Sequence, residues 1–211
     1  MSANLMRWGG RAMMLGGFLW ILTYATEIVI GLALGEETYR QAEPNASLLE
    51  WLWPAFFMGA VFCLGVGLLG VRTRLEGRSR KLGIAGTVPA SVAIVASSIN
   101  LVLLAGVSGE PKALDGLGFL GVLGILLGSI LMGFAALRAK VLPSWARIIL
   151  MLTPFLFIPA IIATIPLASV LPDYVIADLP FPVVGAALAT VGYAMLTDRT
   201  SETGRPAWAS A

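Results

Sequence analysis

The sequence predicts an all-α integral membrane protein, a six-transmembrane-helix bundle of three helical hairpins with both termini in the cytoplasm. Three observations carry this expectation. The 211-residue chain is 58% hydrophobic and only 12% charged, with a mean hydropathy of +0.88, which sets it apart from soluble domains. Its apolar residues fall into six runs, roughly 12–34, 51–71, 82–107, 116–137, 148–171 and 179–197. Each can cross ~30 Å of hydrocarbon at ~1.5 Å rise per residue. Finally, 12 of the 14 Lys and Arg residues sit in alternate gaps between the runs. Arg7 and Arg11 precede the first run. Arg72, Arg74, Arg78, Arg80 and Lys81 follow the second, Arg138, Lys140 and Arg147 the fourth, and Arg199 and Arg205 the sixth. The other gaps hold only Arg40 and Lys112. This is the positive-inside pattern of a multi-pass cell-membrane protein. The longest gap, 35–50, is too short for a soluble domain, so residues 1–211 form a single transmembrane domain.

The first run follows Arg7 and Arg11 as a secretory leader would, but it exceeds the ~7–15 apolar residues of a leader and Glu27 interrupts it. It reads as a retained helix. The second run is thinned by Gly59, Gly65, Gly67 and Gly70 and carries Cys63. As the sole cysteine, Cys63 excludes an intramolecular disulfide. The third run begins after Lys81 and contains Ser97, Ser98 and Asn100. In the fourth, Gly121, Gly124 and Gly128 share a face, followed by Ser129 and Gly133. Small residues let helix backbones approach closely in lipid, which offers no hydrophobic drive for association. The second and fourth helices are therefore expected at the centre or at helix–helix contacts.

Proline concentrates late. Pro154, Pro159 and Pro166 punctuate the fifth run, and Pro172, Pro180 and Pro182 surround the turn into the sixth. Interior prolines remove a backbone hydrogen bond and kink the helix, which at membrane depth is tolerated only within protein or beside a cavity. Residues 153–184 are the expected irregular part. The second, fourth and sixth helices end alike, in small residues followed by Arg72, Arg138 and Arg199. That similarity fits a duplicated hairpin, and it equally fits a common rule for helix ends reaching the cytoplasm.

Several motifs do not hold. Two G-x-G-x-x-G strings, at Gly65, Gly67 and Gly70 and at Gly116, Gly118 and Gly121, lack the strand and turn that a dinucleotide site requires. Glu36, Glu37 and Arg40 are similar to the Glu-Glu…Arg element of intramembrane prenyl-protein proteases, but the spacing is one residue short and the histidines of those enzymes are missing. Asn45 to Ser47 is a formal glycosylation sequon on the outer side. The chain contains no histidine at all, which removes His-ligated haem, the usual zinc and di-iron sites, and Ser-His-Asp or Cys-His catalysis. No lysine lies within a span to form a retinal Schiff base. With no nucleophile–base pair or metal set to assemble, neither catalysis nor a cofactor is expected. Topology accounts for the basic rim, which faces anionic lipid headgroups at ~1 kcal/mol per Lys or Arg; a nucleic-acid partner is not expected.

One ionisable residue stands inside a span. A charge at the depth of Glu27 costs on the order of 2–3 kcal/mol, so such a group faces a partner or a wet cavity. Trp20, Thr23, Tyr24 and Glu27 follow the i, i+3, i+4, i+7 rule and form a polar stripe directed into the bundle. Ser97 and Asn100 share a face of the third helix at comparable depth. Thr164 on the fifth helix and Asp178 at the mouth of the sixth complete an outward-opening pocket, with Trp51 and Trp53 at its rim. The expected ligand set is thus Glu27, Tyr24, Thr23, Asn100, Ser97, Thr164 and Asp178, receiving a cation, a proton or a polar headgroup. The same residues admit a structural reading, in which Glu27 bonds to Asn100 or a nearby hydroxyl and fixes the first helix against the third.

Two functions follow. One is small-solute or lipid binding and transport through this pocket. The other is a non-catalytic accessory or scaffolding subunit, with other membrane subunits or copies of itself as partners. An exposed small-residue face on the fourth helix would favour the second; a sealed one beside an open pocket would favour the first.

Overall fold

The computed structural model describes residues 2–35, 48–75, 79–106, 112–176 and 178–197. Among them there is no strand. Eight α-helices and one 3-10 turn occur in the order α1 (Ser2–Leu34), α2 (Leu48–Arg74), α3 (Arg80–Gly106), α4 (Lys112–Ala139), α5 (Ser144–Leu152), the 3-10 turn Thr153–Leu156, α6 (Phe157–Leu167), α7 (Asp173–Ile176) and α8 (Pro180–Thr197). Six helical stretches are long and apolar enough to cross a membrane. The first four are α1 to α4; α5 with α6 makes the fifth span, and α7 with α8 the sixth. Glu36, Glu37, Arg40, the Asn45 sequon, Arg78, Arg199 and Arg205 lie outside the described residues, as do the side chains of Trp51, Arg80 and Lys112.

The helices outrun their apolar cores. α1 starts at Ser2, ten residues before the apolar run, because nothing between Ala3 and Gly10 breaks a helix once its lower turns leave the hydrocarbon. There the Arg11 guanidinium lies over the Trp8 ring, 5.5 Å from its centroid, joining a charge to an amphipathic ring at one level. Among the described residues, the ends of α1, α2, α4 and α8 nearest Arg11, Arg74 and Arg138 fall together, since Gly9 meets Gly70, Gly10 meets Gly192 and Arg74 reaches Val141 and Met195; this is hereafter the arginine end.

The first hairpin (α1, α2) and the second (α3, α4) are closely packed pairs, and α2 joins them by packing on both α3 and α4. α8 closes on the far side of α1, and α5 lies against α4 and α8. The second and fourth spans are the most buried of the six and the fifth is the least. The glycine face of α4 is sealed. A Cβ on Gly121 would meet Val61, one on Gly128 would meet Leu68, and those on Gly124 and Gly133 would strike the backbone of Pro89 and Met151.

α1 owes its position to two glycine doublets seven residues apart. Gly9 lies against Gly70 and Gly16 against Ala60 and Leu64, so this face receives α2. Gly10 lies against Gly192 and Gly17 against Gly185, so the adjoining face receives α8. Each doublet assigns one glycine to each neighbour, and α1 is wedged between them.

Of the three prolines expected to kink the fifth span, one breaks it. Pro154 has no N–H to continue α5, and the chain tightens for a single turn before α6 resumes. The buried Thr153 hydroxyl donates to the Ile149 carbonyl at 2.7 Å beside this break. Pro159 falls in the first turn of α6, where an N–H has no intrahelical partner anyway, and Pro166 stands next to its last residue.

At the arginine end, Lys140 takes a left-handed backbone conformation (φ 54°) in the tight turn after α4. The Arg74 guanidinium donates to the Val141 carbonyl at 3.0 Å and the Met195 carbonyl at 3.2 Å. One side chain thus ties together the ends of α2, α4 and α8.

Candidate functional site

At the opposite end, the polar stripe of α1 meets the sixth span. The Tyr24 hydroxyl donates to the Val175 carbonyl of α7 at 2.8 Å. One helical turn beyond Glu27, Gly31 lies directly under the Tyr174 ring with no room for a Cβ. One turn before Tyr24, the fully buried Trp20 sits 5.5 Å from Phe181. Glu27, half-buried, falls between Tyr24 and Gly31 on this line, since residues three and four apart share a helix face. The side of α1 that carries the acid therefore borders α7 and the start of α8.

Asp178 stands in the short link between α7 and α8. Its carboxylate accepts the Trp53 indole N–H of α2 at 3.0 Å, and its main-chain carbonyl accepts the Phe181 N–H at 3.0 Å in the first turn of α8. A carboxylate beside a helix N-terminus is favoured by the unpaired N–H groups there. Asp178 is also within electrostatic reach of the Tyr24 phenol. Tyr24, Trp53 and Asp178 are thereby held in one place by α1, α2 and the sixth span.

Behind them lies an aromatic cluster that position in the sequence does not reveal. Phe181 is its hub. The Phe57 ring meets it edge-on at 5.1 Å and the Phe157 ring at 5.7 Å, while Trp53 stacks on Phe57 at 5.3 Å with the planes 4° apart. With Trp20, five rings from four spans converge. The Trp20 indole N–H is buried with no hydrogen-bond partner. The traceable signals were the Trp53–Phe57 spacing of one helical turn and Phe181 between two prolines; neither specifies that the rings meet.

Of the remaining expected ligands, Thr23, Ser97 and Thr164 each donate within their own helix. Thr23 is fully buried and donates to the Leu19 carbonyl of its own helix at 2.9 Å. Ser97 is equally buried and donates to Ala93 at 2.7 Å, and Asn100 is buried on the same helix. That helix, α3, packs on α2 and α4 and shares no extensive interface with α1. The glycine doublets bring α2 and α8 flush onto α1, so these two helices, and not α3, are its extensive packing partners. On α6, the Thr164 hydroxyl is exposed and donates to Ile161 at 2.6 Å.

The assembled group holds the Asp178 carboxylate, a phenol and an indole whose donors are already engaged, and several ring faces, with Glu27 on the adjoining turn of α1. Ring faces carry negative quadrupole charge and attract cations, most strongly for Trp. The set suits recognition of a positively charged head with an apolar body; it contains no nucleophile–base pair. Among the described residues no cluster of three or more Cys, Asp or Glu side chains could hold a metal ion.

Comparison with known proteins finds no match. No family model, no curated protein and no solved structure corresponds to the chain.

Proposed function

We propose that this protein binds, and carries across the cell membrane, a small solute bearing a cationic head, at a site formed by Tyr24, Glu27, Trp53 and Asp178. The observation that carries the reading is the Asp178 carboxylate held by Trp53 at 3.0 Å against the five-ring cluster, with Glu27 on the same side of α1. A carboxylate and aromatic faces together attract an organic cation by charge and by ring quadrupole, and Phe181 and Phe157 would receive its apolar part. The break at Pro154 immediately precedes Phe157, so straightening or bending the fifth span would move one wall of the site. In this reading both termini are cytoplasmic and the site opens outward.

The accessory-subunit reading called for an exposed small-residue face on the fourth span. That face is occupied by Val61, Pro89, Leu68 and Met151, which supplies one of the two features, a sealed face beside an open pocket, that favour binding.

The test uses tetraethylammonium as probe and the thermal unfolding of the purified full chain as readout. The probe raises the unfolding temperature of the wild type and does so much less for Glu27→Gln and Asp178→Asn, both of which remain folded in its absence. Equal stabilisation of all three proteins, or of none by any ammonium compound, would refute the assignment.

A further inference from the structure

A second feature lies on the opposite flank and depends on none of the residues above. Between α3 and α4, an open groove of about 550 Å³ faces outward from the bundle. This volume falls within the ~300–1,000 Å³ of ligand pockets. Its walls are Val88, Val92, Val95 and Ile99 of α3 with Leu117 and Leu120 of α4, and its one charged lining residue is Arg72 at the end of α2. The α3 residues recur at spacings of four, three and four, which makes a continuous ridge of branched side chains. From Val88 to Ile99 it runs about 16 Å at ~1.5 Å per residue, about half the ~30 Å hydrocarbon thickness, across the middle of the third span, Lys81–Ala105.

The groove is charged at one end only. Arg72 is exposed, and among the described residues its side chain has no hydrogen-bond or ion-pair partner. Lys81, also exposed, continues the same face of α3, seven residues before Val88. The Thr87 hydroxyl is already spent on the Gly83 carbonyl at 2.7 Å, which leaves Ser91 as the one other hydroxyl in a lining that is otherwise apolar. Two cations at headgroup level and an almost wholly apolar channel match a single amphiphile in a single orientation.

We infer that this groove is a binding site for one anionic glycerophospholipid, with its phosphate on Arg72 and Lys81 and an acyl chain along Val88, Val92, Val95 and Ile99. The charge selects the occupant. A second copy of this chain would need an acidic group opposite Arg72 at the same depth, whereas an anionic lipid supplies it from every bilayer. A zwitterionic lipid brings its own cation to the same place and gains less.

The experiment is native mass spectrometry of the delipidated full chain in mild detergent, titrated with palmitoyl-oleoyl phosphatidylglycerol or phosphatidylcholine. The wild type retains one phosphatidylglycerol more firmly than phosphatidylcholine. R72Q weakens the phosphatidylglycerol adduct roughly fivefold, the effect of one cation near a headgroup, and leaves phosphatidylcholine unchanged. S91W, which fills the groove from an exposed position, removes the adduct of either lipid. Glu27→Gln retains the lipid, so this site stands or falls apart from the cation site. Equal retention of the two lipids by the wild type, or of phosphatidylglycerol by R72Q, would overturn the inference. So would a dimer that S91W dissociates, which would make the groove a contact between copies. Arg72 is exposed at a helix end, so R72Q tests the charge even if the bulky substitution perturbs folding.

Discussion

If the glycine doublets set the position of α1, the same substitution should have opposite signs at two glycines. In a helix interior, Gly→Ala stabilises by about 0.5–1 kcal/mol through reduced backbone entropy. At Gly59 nothing opposes this gain, because a new Cβ would meet only the Leu19 Cδ1 at 3.5 Å, an ordinary contact. At Gly17 the new Cβ would strike the Gly185 carbonyl and lie 2.9 Å from the Ala189 nitrogen. Those obstacles are backbone, so neither can rotate away; the helices must separate. Overpacking costs about 1–3 kcal/mol, and backbone obstacles put Gly17→Ala in the upper part of that range. After subtracting the helix gain, Gly17→Ala should be about 1–2 kcal/mol less stable than wild type and Gly59→Ala about 0.5–1 kcal/mol more stable. The gap of roughly 2–3 kcal/mol is about a 30- to 150-fold ratio in the unfolding equilibrium. Reversible unfolding in mixed micelles, followed by far-ultraviolet circular dichroism, resolves such a difference. Separation of α1 from α8 should also draw Tyr24 away from Val175, so Gly17→Ala should lose the stabilisation by tetraethylammonium that Gly59→Ala keeps. A Gly17→Ala protein as stable as Gly59→Ala would refute the wedge.

Two further outcomes test other parts of the structure. A double-mutant cycle of Trp53→Phe and Asp178→Asn should give a coupling of about 1 kcal/mol, between the ~0.6 average of polar pairs in membranes and the 1.5–3 of hydrogen bonds to charged groups; zero coupling means that the bond is not made. For topology, Lys140 and Val170 are exposed on opposite ends. In a Cys63→Ala background, an impermeant maleimide should label Val170→Cys on intact cells and spare Lys140→Cys; the reverse would invert the proposed orientation.

The fold was legible where one residue type carries a large transfer cost. Arg72, Arg74 and Arg138 delimit helices because cations do not enter hydrocarbon, and the spans follow from that constraint alone. The packing centre was legible too, since Gly121, Gly124 and Gly128 have a use only where another helix approaches. Neighbour choice was not. Glu27 and Asn100 lie at matching depths, but depth fixes only one coordinate of three and does not say which helices pack along their length. The direction each face takes was decided by Gly10 and Gly17, whose place in a doublet assigns them to a different neighbour from Gly9 and Gly16. The aromatic cluster was hidden for a related reason. Phe57, Phe157 and Phe181 are each unexceptional in an apolar helix, and only the crossing of four spans makes them a group.

The adjacency of α1 and α8 has a consequence for how this chain is made. Spans leave the ribosome in order, so the first must enter the bilayer long before its partner in the sixth exists. Until then Gly10 and Gly17 present a bare backbone furrow to lipid, and Tyr24 has no Val175 carbonyl to reach. The Arg74 clamp is in the same position, with one of its two carbonyls, that of Met195, arriving almost last. Assembly is therefore a ring closure, in which the early hairpins wait as an open arc and the final helix sets the seal. A chain halted after its fifth span would hold most of its hydrophobic segments but lack Asp178 and Phe181, the two residues on which the proposed site closes.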